Sequence, residues 1–338
     1  MEVLRETNFD FLGPKKSGKV RDVYEPSADS TPSTGSGQAS SPQAGSGQGR
    51  LILVTTDRHS SFDRIIAHVP HKGQVLNQIT AFWMNETKDI VPNALLEVPD
   101  PNVMVAKKCA LVPVEAVVRG YNTGVTGTSI WTRYSAGQRE FGGVTLPDGM
   151  KKNEKLPIPI FDPTTKEDTH DRALSEGEMI AEGLITAERF AELKDVALKL
   201  FARGQELTAQ RGLILVDTKY EFGTDPSTSL GAGDGKLVLI DEVHTPDSSR
   251  YWQLDSYAER MEEGAEPQYF DKEFLRLWFK EHCDPYKDEV LPEAPGELIE
   301  ELARRYIGIY EQITGAKFAP GEEPIAQRIE RNLQSFAI

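Results

Sequence analysis

The stretch GLILVDTKYEFG, residues 212–223, decides how this 338-residue chain is read. It starts as an apolar run and ends with three charges, Asp217, Lys219 and Glu221, at alternate positions. Alternate side chains of a strand share a face. Leu213, Leu215, Asp217, Lys219 and Glu221 are therefore expected on one side, with Ile214, Val216, Thr218, Tyr220 and Phe222 on the other. A buried strand that turns charged on one face is the pattern of a site at the end of a core strand. The next strand-like segment, KLVLIDEV (236–243), is also apolar and ends in Asp241 and Glu242. Antiparallel pairing across residues 223–235 places Asp217 opposite Asp241 or Glu242, with Glu221 nearer the loop; the pattern does not fix the register. Carboxylates gathered this closely repel one another unless a cation sits among them, and hard oxygen ligands suit Mg²⁺ with a nucleotide. A solvated hairpin held by salt bridges through Lys219 fits the same pattern.

Outward from this hairpin, Phe190, Leu193, Val196, Ala197, Leu200 and Phe201 recur at helical spacing, which predicts a helix over 187–211 with Thr186 as its N-cap. Further helices are expected at 272–281 and 297–314, the latter stopped by Gly315. The N-terminal part reads as strands at 19–24, 51–55, 103–107 and 112–119, with Pro113 suggesting an edge position or a bulge. Residues 26–49 are Ser, Gly, Pro and Gln with nothing aliphatic larger than Ala, so they are expected to form a flexible loop inside a hairpin. The fold class expected is α/β (α+β) in two lobes. A β-rich first lobe (1–111) precedes a mixed α/β second lobe (112–338), with the active site in the cleft between them.

Net charge is −15, from 53 acidic and 38 basic side chains. That disfavours a nucleic-acid partner, which needs cations against phosphates, but leaves room for small phosphorylated ligands held locally. No apolar run is long enough for a membrane span. The first residues lack a basic stretch followed by an apolar core, so no secretory signal is expected. Cys109 and Cys283 are too few and too far apart for a disulfide framework or a thiolate metal site. A reducing cytoplasm is the expected compartment.

Other segments carry candidate chemistry. VVRGYNTGVTGTS (117–129) is a strand ending in Arg119 that opens into a Gly-rich loop, which either cradles a phosphate or simply turns. GPKKSGKVRDVYE (13–25) is a Gly- and Lys-bearing turn that covers a nucleotide or forms a plain hairpin. HTPDSSR (244–250) offers Asp247 and Arg250 in a turn that fixes a phosphate or sugar, or caps a helix. TDRHSSFD (56–63) and THD (169–171) add polar residues just beyond expected elements. Ser-His-Asp order, HExxH and CxxC are all absent from the sequence, which removes support for hydrolase triads and zinc sites.

In chain order, GKVRDVYE (18–25), TDRHSSFD (56–63), HKGQVLNQIT (71–80) and VPVEAVVRGYNTG (112–124) resemble one family, SAICAR synthetase. LPIPIFDPTTKEDTHD (156–171), GLILVDTKYEFG (212–223) and IDEVHTPDSSRYW (240–252) continue the resemblance over most of the chain. It implies a two-lobed α/β fold whose nucleotide lobe is similar to protein kinases and ATP-grasp enzymes. It also implies a reaction: ATP, L-aspartate and the phosphoribosyl-aminoimidazole carboxylate CAIR give SAICAR, ADP and phosphate, with Mg²⁺. A carboxylate is a poor electrophile; phosphorylation supplies the leaving group, and the protein mainly positions and neutralises charge. Monomer and homodimer both stay open.

Position by position, the resemblance implies that Glu221 and Asp241 are the Mg²⁺ carboxylates and that Arg119 and Arg250 bind the phosphate of CAIR. Asp217 and Asp247 correspond to acceptors for its amino or hydroxyl groups. Lys19 and Arg21 correspond to nucleotide-phosphate residues, Lys108 to the lysine behind adenine, and Val114 with Glu115 to the hinge. Lys166, His170 and Asp171 fall in the segment facing the reacting carboxylate and aspartate, and Lys219 stands between the metal carboxylates. Two departures stand out. Val125 replaces a serine after Thr123-Gly124, so Thr126 or Thr128 is expected to supply the missing hydroxyl, with Ser129 or backbone N–H groups as the alternative, and the loop 26–49 is long. A phosphotransferase would share the acidic pair and the Gly turn without the pocket of Arg119 and Arg250. A non-catalytic nucleotide binder would not need Asp217, Glu221, Asp241 and Asp247 together.

Overall fold

The computed structural model describes residues 1–26, 49–166, 172–228, 235–270 and 273–337. Residues 27–48 of the expected loop, together with His170 and Asp171, lie outside the described residues. The chain begins with strands β1 (Lys15–Ser17), β2 (Arg21–Tyr24) and β3 (Arg50–Thr55), followed by a hairpin of β4 (Arg58–Ser61) and β5 (Arg64–His68). Helix α1 (Lys72–Glu86) precedes β6 (Leu95–Asp100) and β7 (Val103–Lys107). An antiparallel sheet runs in the order β1-β2-β3-β7-β6.

Period-two alternation gives that sheet two apolar faces. Leu53, Met104 and Ala106 join the main core with α1, whereas Ile52, Val54, Val103 and Val105 form a second cluster with Leu4, Phe9 and Leu12. The second face is closed by the last helix, α8, through Ile325, Ile329 and Leu333.

The chain then continues through β8 (Ala110–Leu111), β9 (Val114–Tyr121), α2 (Ile130–Ser135), and a small hairpin of β10 (Glu140–Phe141) and β11 (Val144–Thr145). Next come β12 (Lys155–Phe161), β13 (Thr164–Thr165), α3 (Glu176–Ala181), α4 (Ala187–Ala209), β14 (Leu213–Thr224), β15 (Leu237–Ile240) and β16 (Ser249–Gln253). Helices α5 (Leu254–Glu262), α6 (Glu273–His282), α7 (Gly296–Thr314) and α8 (Ile325–Leu333) finish it. The second sheet follows β12-β9-β14-β15, with β13 added to β9 and with β8 and β16 added to β14. Its apolar face shares one core with the first sheet, Val118, Leu215 and Phe201 lying in the cluster that holds Leu53 and Met104. No helix among the described residues is long and apolar enough to cross a membrane.

Local chemistry explains the helix ends. Thr186 caps α4, its hydroxyl accepting from Arg189 N, and Phe190, Leu193, Ala197, Leu200 and Phe201 are buried along one stripe as their spacing predicts. The helix ends at Ala209, two residues earlier than expected, because Gly212 turns the chain with φ of +73°. Gly315 stops α7 in the left-handed conformation.

Three sequence-level expectations change. Pro113 neither sits on an edge strand nor makes a bulge: β9 starts one residue later and lies between β12 and β14. Pro113 lacks an N–H, so it stands just outside the ladder, where Val114 N already bonds to Val112 O at 2.8 Å. The register of β14 with β15 pairs Glu221 with Ile240 and Phe222 with Leu239, so Asp217 does not face Asp241 or Glu242. Asp241 adopts φ of +61° and ends β15 before that pairing can extend. Finally, Leu213 and Leu215 share the main core with Tyr220 and Phe222, while Ile214 and Val216 pack with Tyr121 and Trp252. A register shift between Leu215 and Asp217 against β16 swaps the faces part-way along the strand.

Candidate active site

The second half of β14 organises the site. Beyond the register shift, Asp217 pairs with Arg119 on β9 and with Arg250 on β16. Cross-strand neighbours of this kind have their side chains on one face, so one carboxylate lies between two guanidinium-bearing residues. Arg250 reaches Asp217 at 3.2 Å. Arg119 is held differently: its Nε donates to Asp162 at 2.7 Å and its Nη2 to Thr128 O at 3.1 Å, while Arg133 of α2 also binds Asp162. Two guanidinium groups that share the Asp162 carboxylate are fixed in place before any ligand arrives.

Gly124 brings the following loop onto this pocket. Its φ is +98°, and a Cβ there would lie 2.4 Å from Ser129 Cβ and 3.1 Å from Arg250 Nη1. Only glycine allows that approach. Residues 125–127 loop outward, with Val125 69% exposed, and the chain returns at Ser129, which is fully buried. Ser129 Oγ bonds to Thr126 O at 2.7 Å and lies 2.9 Å from the Thr132 hydroxyl. The hydroxyl next to Gly124 is thus that of Ser129. Thr126 is exposed and supplies a carbonyl to Ser129, and Thr128 supplies a carbonyl to Arg119.

Two and four residues further along β14, Lys219 and Glu221 open a second group. At roughly 3.3 Å per strand residue, Glu221 stands about 13 Å from Asp217. Lys219 bonds to Glu115 of β9 at 2.5 Å and lies 3.6 Å from Glu221, which also pairs with Lys166 just after β13. From the first sheet, Arg21 reaches across to Asp241 and lies 3.6 Å from Glu242. Burial pushes Glu221 up from the usual carboxylate range, and the nearby charge of Asp241 pushes it further, against the pull of Lys166 and Lys219. Burial acts the same way on Asp241, but Arg21, then Lys219 and Lys166, outweigh it and hold Asp241 low. Glu242 is raised by burial despite Arg21.

These residues fit a magnesium–nucleotide site. Glu221 and Asp241 are hard oxygen donors whose mutual repulsion a divalent cation would relieve, and Mg²⁺ needs only one or two carboxylates when phosphates supply the rest. Lys166 and Lys219 lie against Glu221, and Arg21 against Asp241.

A third carboxylate, Asp247, lies in the turn before β16. Lys72 Nζ donates to its Oδ2 at 2.6 Å and to Arg58 O at 3.1 Å. Lys72 is completely buried at the start of α1. The preceding His71 takes φ of +64°, and Gly73 lets the helix touch β3, since a Cβ there would lie 2.3 Å from Thr55 O. Lys72, Arg133 and Asp162 were not singled out from the sequence. Lys72 and Asp162 do stand in recognisable segments, HKGQVLNQIT and LPIPIFDP, but composition does not say that a lysine will be buried.

Other candidates are placed as follows. Lys19 pairs with Asp63 at 2.6 Å, both exposed, and Lys108 pairs with Glu25, also exposed. Val114 is buried and pairs with Thr165, Glu115 with Thr164, so the hinge is bound into the sheet, and the Glu115 carboxylate is committed to Lys219. In TDRHSSFD, Asp57 is structural: it accepts from Leu4 N and Gly73 N, both at 2.8 Å, and burial lifts its pKa to about 6.

The chain is similar to known proteins over most of its length. The model of the SAICAR synthetase family matches residues 15–293, a span that ends before α7 and α8. A phosphoribosylaminoimidazole-succinocarboxamide synthase of Legionella pneumophila (strain Paris) is 53% identical over 337 residues, covering 98% of each chain. A chloroplastic phosphoribosylaminoimidazole-succinocarboxamide synthase of Arabidopsis thaliana is 51% identical over 335 residues, covering 97% of this chain and 75% of its own length. Among solved structures, the SAICAR-synthase from Saccharomyces cerevisiae complexed with SAICAR has a TM-score of 0.73 at 28% identity, covering 94% of this chain and 100% of that one. With the family model matching well over half its length and relatives above half identity, the chain belongs to the SAICAR synthetase family.

Proposed function

We propose that the cleft formed by β14, β9, β16, Arg21 and Lys72 joins L-aspartate to the carboxylate of CAIR at the expense of ATP, giving SAICAR, ADP and phosphate. Family membership makes the chain an ATP-dependent carbon–nitrogen ligase of purine biosynthesis. The assignment of its site rests on one observation above all: a two-arginine pocket and a two-carboxylate pocket share strand β14. A phosphotransferase would need only the second.

In this reading Arg119, Arg250 and Ser129 hold the phosphate of CAIR, and Asp217 and Asp247 accept from its polar hydrogens. Glu221 and Asp241 hold Mg²⁺, which when bound neutralises charge on the transferring phosphoryl group. Arg21, Lys166 and Lys219 bind the phosphates of ATP. A carboxylate oxygen of CAIR attacks the γ-phosphorus, and ADP leaves. The aspartate amine then attacks the carbonyl carbon, phosphate leaves, and the amine gives up a proton. Lys166 and Lys219, held against Glu221, keep opposing charges close to the reacting groups without moving.

The reaction class is tested by measuring ADP release with CAIR and ATP, with and without aspartate. SAICAR formed in proportion to ADP, and only with aspartate, is the expected outcome. Sustained ADP release with no amide product would sink the ligase assignment. The phosphate pocket has its own test. Ser129→Ala removes a hydrogen bond to a charged group, so the KM for CAIR rises about tenfold while the KM for ATP holds. Thr126→Val, on the outward loop, leaves both unchanged. The reverse ranking of these two variants would return the role to Thr126.

A further inference from the structure

We infer that helix α7, beyond the span of the family model, completes the substrate site, and that its Tyr306 is a positioning residue for Asp247. The buried stripe of α7 is Leu302, Ala303, Tyr306, Ile309 and Ile313, at helical spacing against α1. Four of these five are purely apolar. The fifth carries a hydroxyl, which must find a partner where it is buried. It donates to Asp247 Oδ1 at 2.5 Å.

Asp247 therefore has a different donor on each oxygen: Lys72 on Oδ2 and Tyr306 on Oδ1. One donor leaves a carboxylate free to turn about its last bond; two donors from separate helices fix its plane. Lys72 Nζ also lies 5.5 Å from the centre of the Tyr306 ring, and His59 meets that ring edge-on at 6.4 Å. The three groups thus form one unit: α7 holds one carboxylate oxygen, the lysine holds the other, and the ring covers the lysine. Tyr306 is buried, 4% exposed, and acts through Asp247. The inference rests on the reading that Asp247 receives a polar hydrogen of CAIR.

Tyr306→Phe keeps the ring and removes only the hydroxyl. Measured on the full chain with CAIR, ATP and aspartate, it raises the KM for CAIR by about tenfold, the size expected for one bond to a charged group. The KM values for ATP and aspartate and the melting temperature do not change. Combined with Asp247→Asn, it adds nothing to the effect of that variant alone, because both remove the same oriented acceptor. A purely structural tyrosine would instead lower the melting temperature and depress turnover with every substrate alike, which overturns the positioning role. A raised KM in Asp247→Asn with a parental KM in Tyr306→Phe overturns the role of Tyr306 and leaves the reading of Asp247 standing. Parental KM values in both variants overturn that reading, and the inference falls with it.

Discussion

Glu221→Gln and Asp241→Asn each lower the rate of SAICAR formation on the order of 10²-fold or more, with the fold intact, because each removes charge that holds the cation at the transferring phosphoryl group. The two variants should part company in stability. Glu221 is pushed up by burial and by Asp241, so its charged form is disfavoured in the folded protein, and a neutral amide relieves the repulsion. Asp241 is held low chiefly by Arg21, so its amide leaves a buried guanidinium with Glu242, 3.6 Å away, as its remaining ion pair among the described residues. The expected result is a melting temperature that holds or rises for Glu221→Gln and falls for Asp241→Asn, both without nucleotide. Adding Mg²⁺ and ATP should shift the melting of the parent upward and of neither variant. Parental turnover in both variants at saturating Mg²⁺ removes the metal assignment. Parental melting in both removes the electrostatic account of Arg21.

Much of this site was legible before any coordinates. The alternation of Asp217, Lys219 and Glu221 marked β14 as the organising strand, and Asp241 stood at the end of its neighbour. What composition did not show was register. A one-residue shift between Leu215 and Asp217 exchanges the faces of the strand, and the shift comes from pairing with β16, a partner about 30 residues further on. That same pairing sets Arg250 beside Asp217, and β9 adds Arg119, in place of the acidic neighbours expected. The left-handed turn at Asp241 was equally hidden, since an aspartate tolerates positive φ without announcing it. Ser129 ranked behind Thr126 and Thr128 in the sequence for a simpler reason. The loop 125–128 separates it from Gly124 in sequence, and only the fold shows that the two touch. The helical stripe of α4, by contrast, depends on contacts that repeat along one element, so its period survived into the structure almost residue for residue.

The last helix carries the largest expected effect on stability. Arg328 of α8 is buried and meets Asp100 with two nitrogens, at 2.9 and 3.1 Å, while its Nη2 reaches Asn102 at 2.7 Å and its Nη1 reaches Glu322 O at 2.8 Å. Asp100 is fully buried on the first sheet and also accepts from Asn332 at 2.8 Å. Arg328→Met fills most of the volume but leaves this carboxylate charged and largely uncompensated. Breaking a buried pair in this way costs about 3–5 kcal/mol, so a clear drop in melting temperature follows. Arg328→Lys should recover only part of it, because a point charge cannot reproduce the two-pronged contact. Adding Asp100→Asn to Arg328→Met should regain stability, since the orphaned charge is then gone. The linker before α8 is held to α1 by Gln74, two residues from Lys72, which accepts from Gly321 N and donates to Ala319 O. Below its melting transition the Arg328→Met protein should still show a parental KM for CAIR, because Arg328 reaches neither Asp217 nor Asp247. A melting temperature equal to that of the parent would show that apolar packing of Ile325, Ile329 and Leu333 alone secures α8, and that the buried ion pair contributes nothing net.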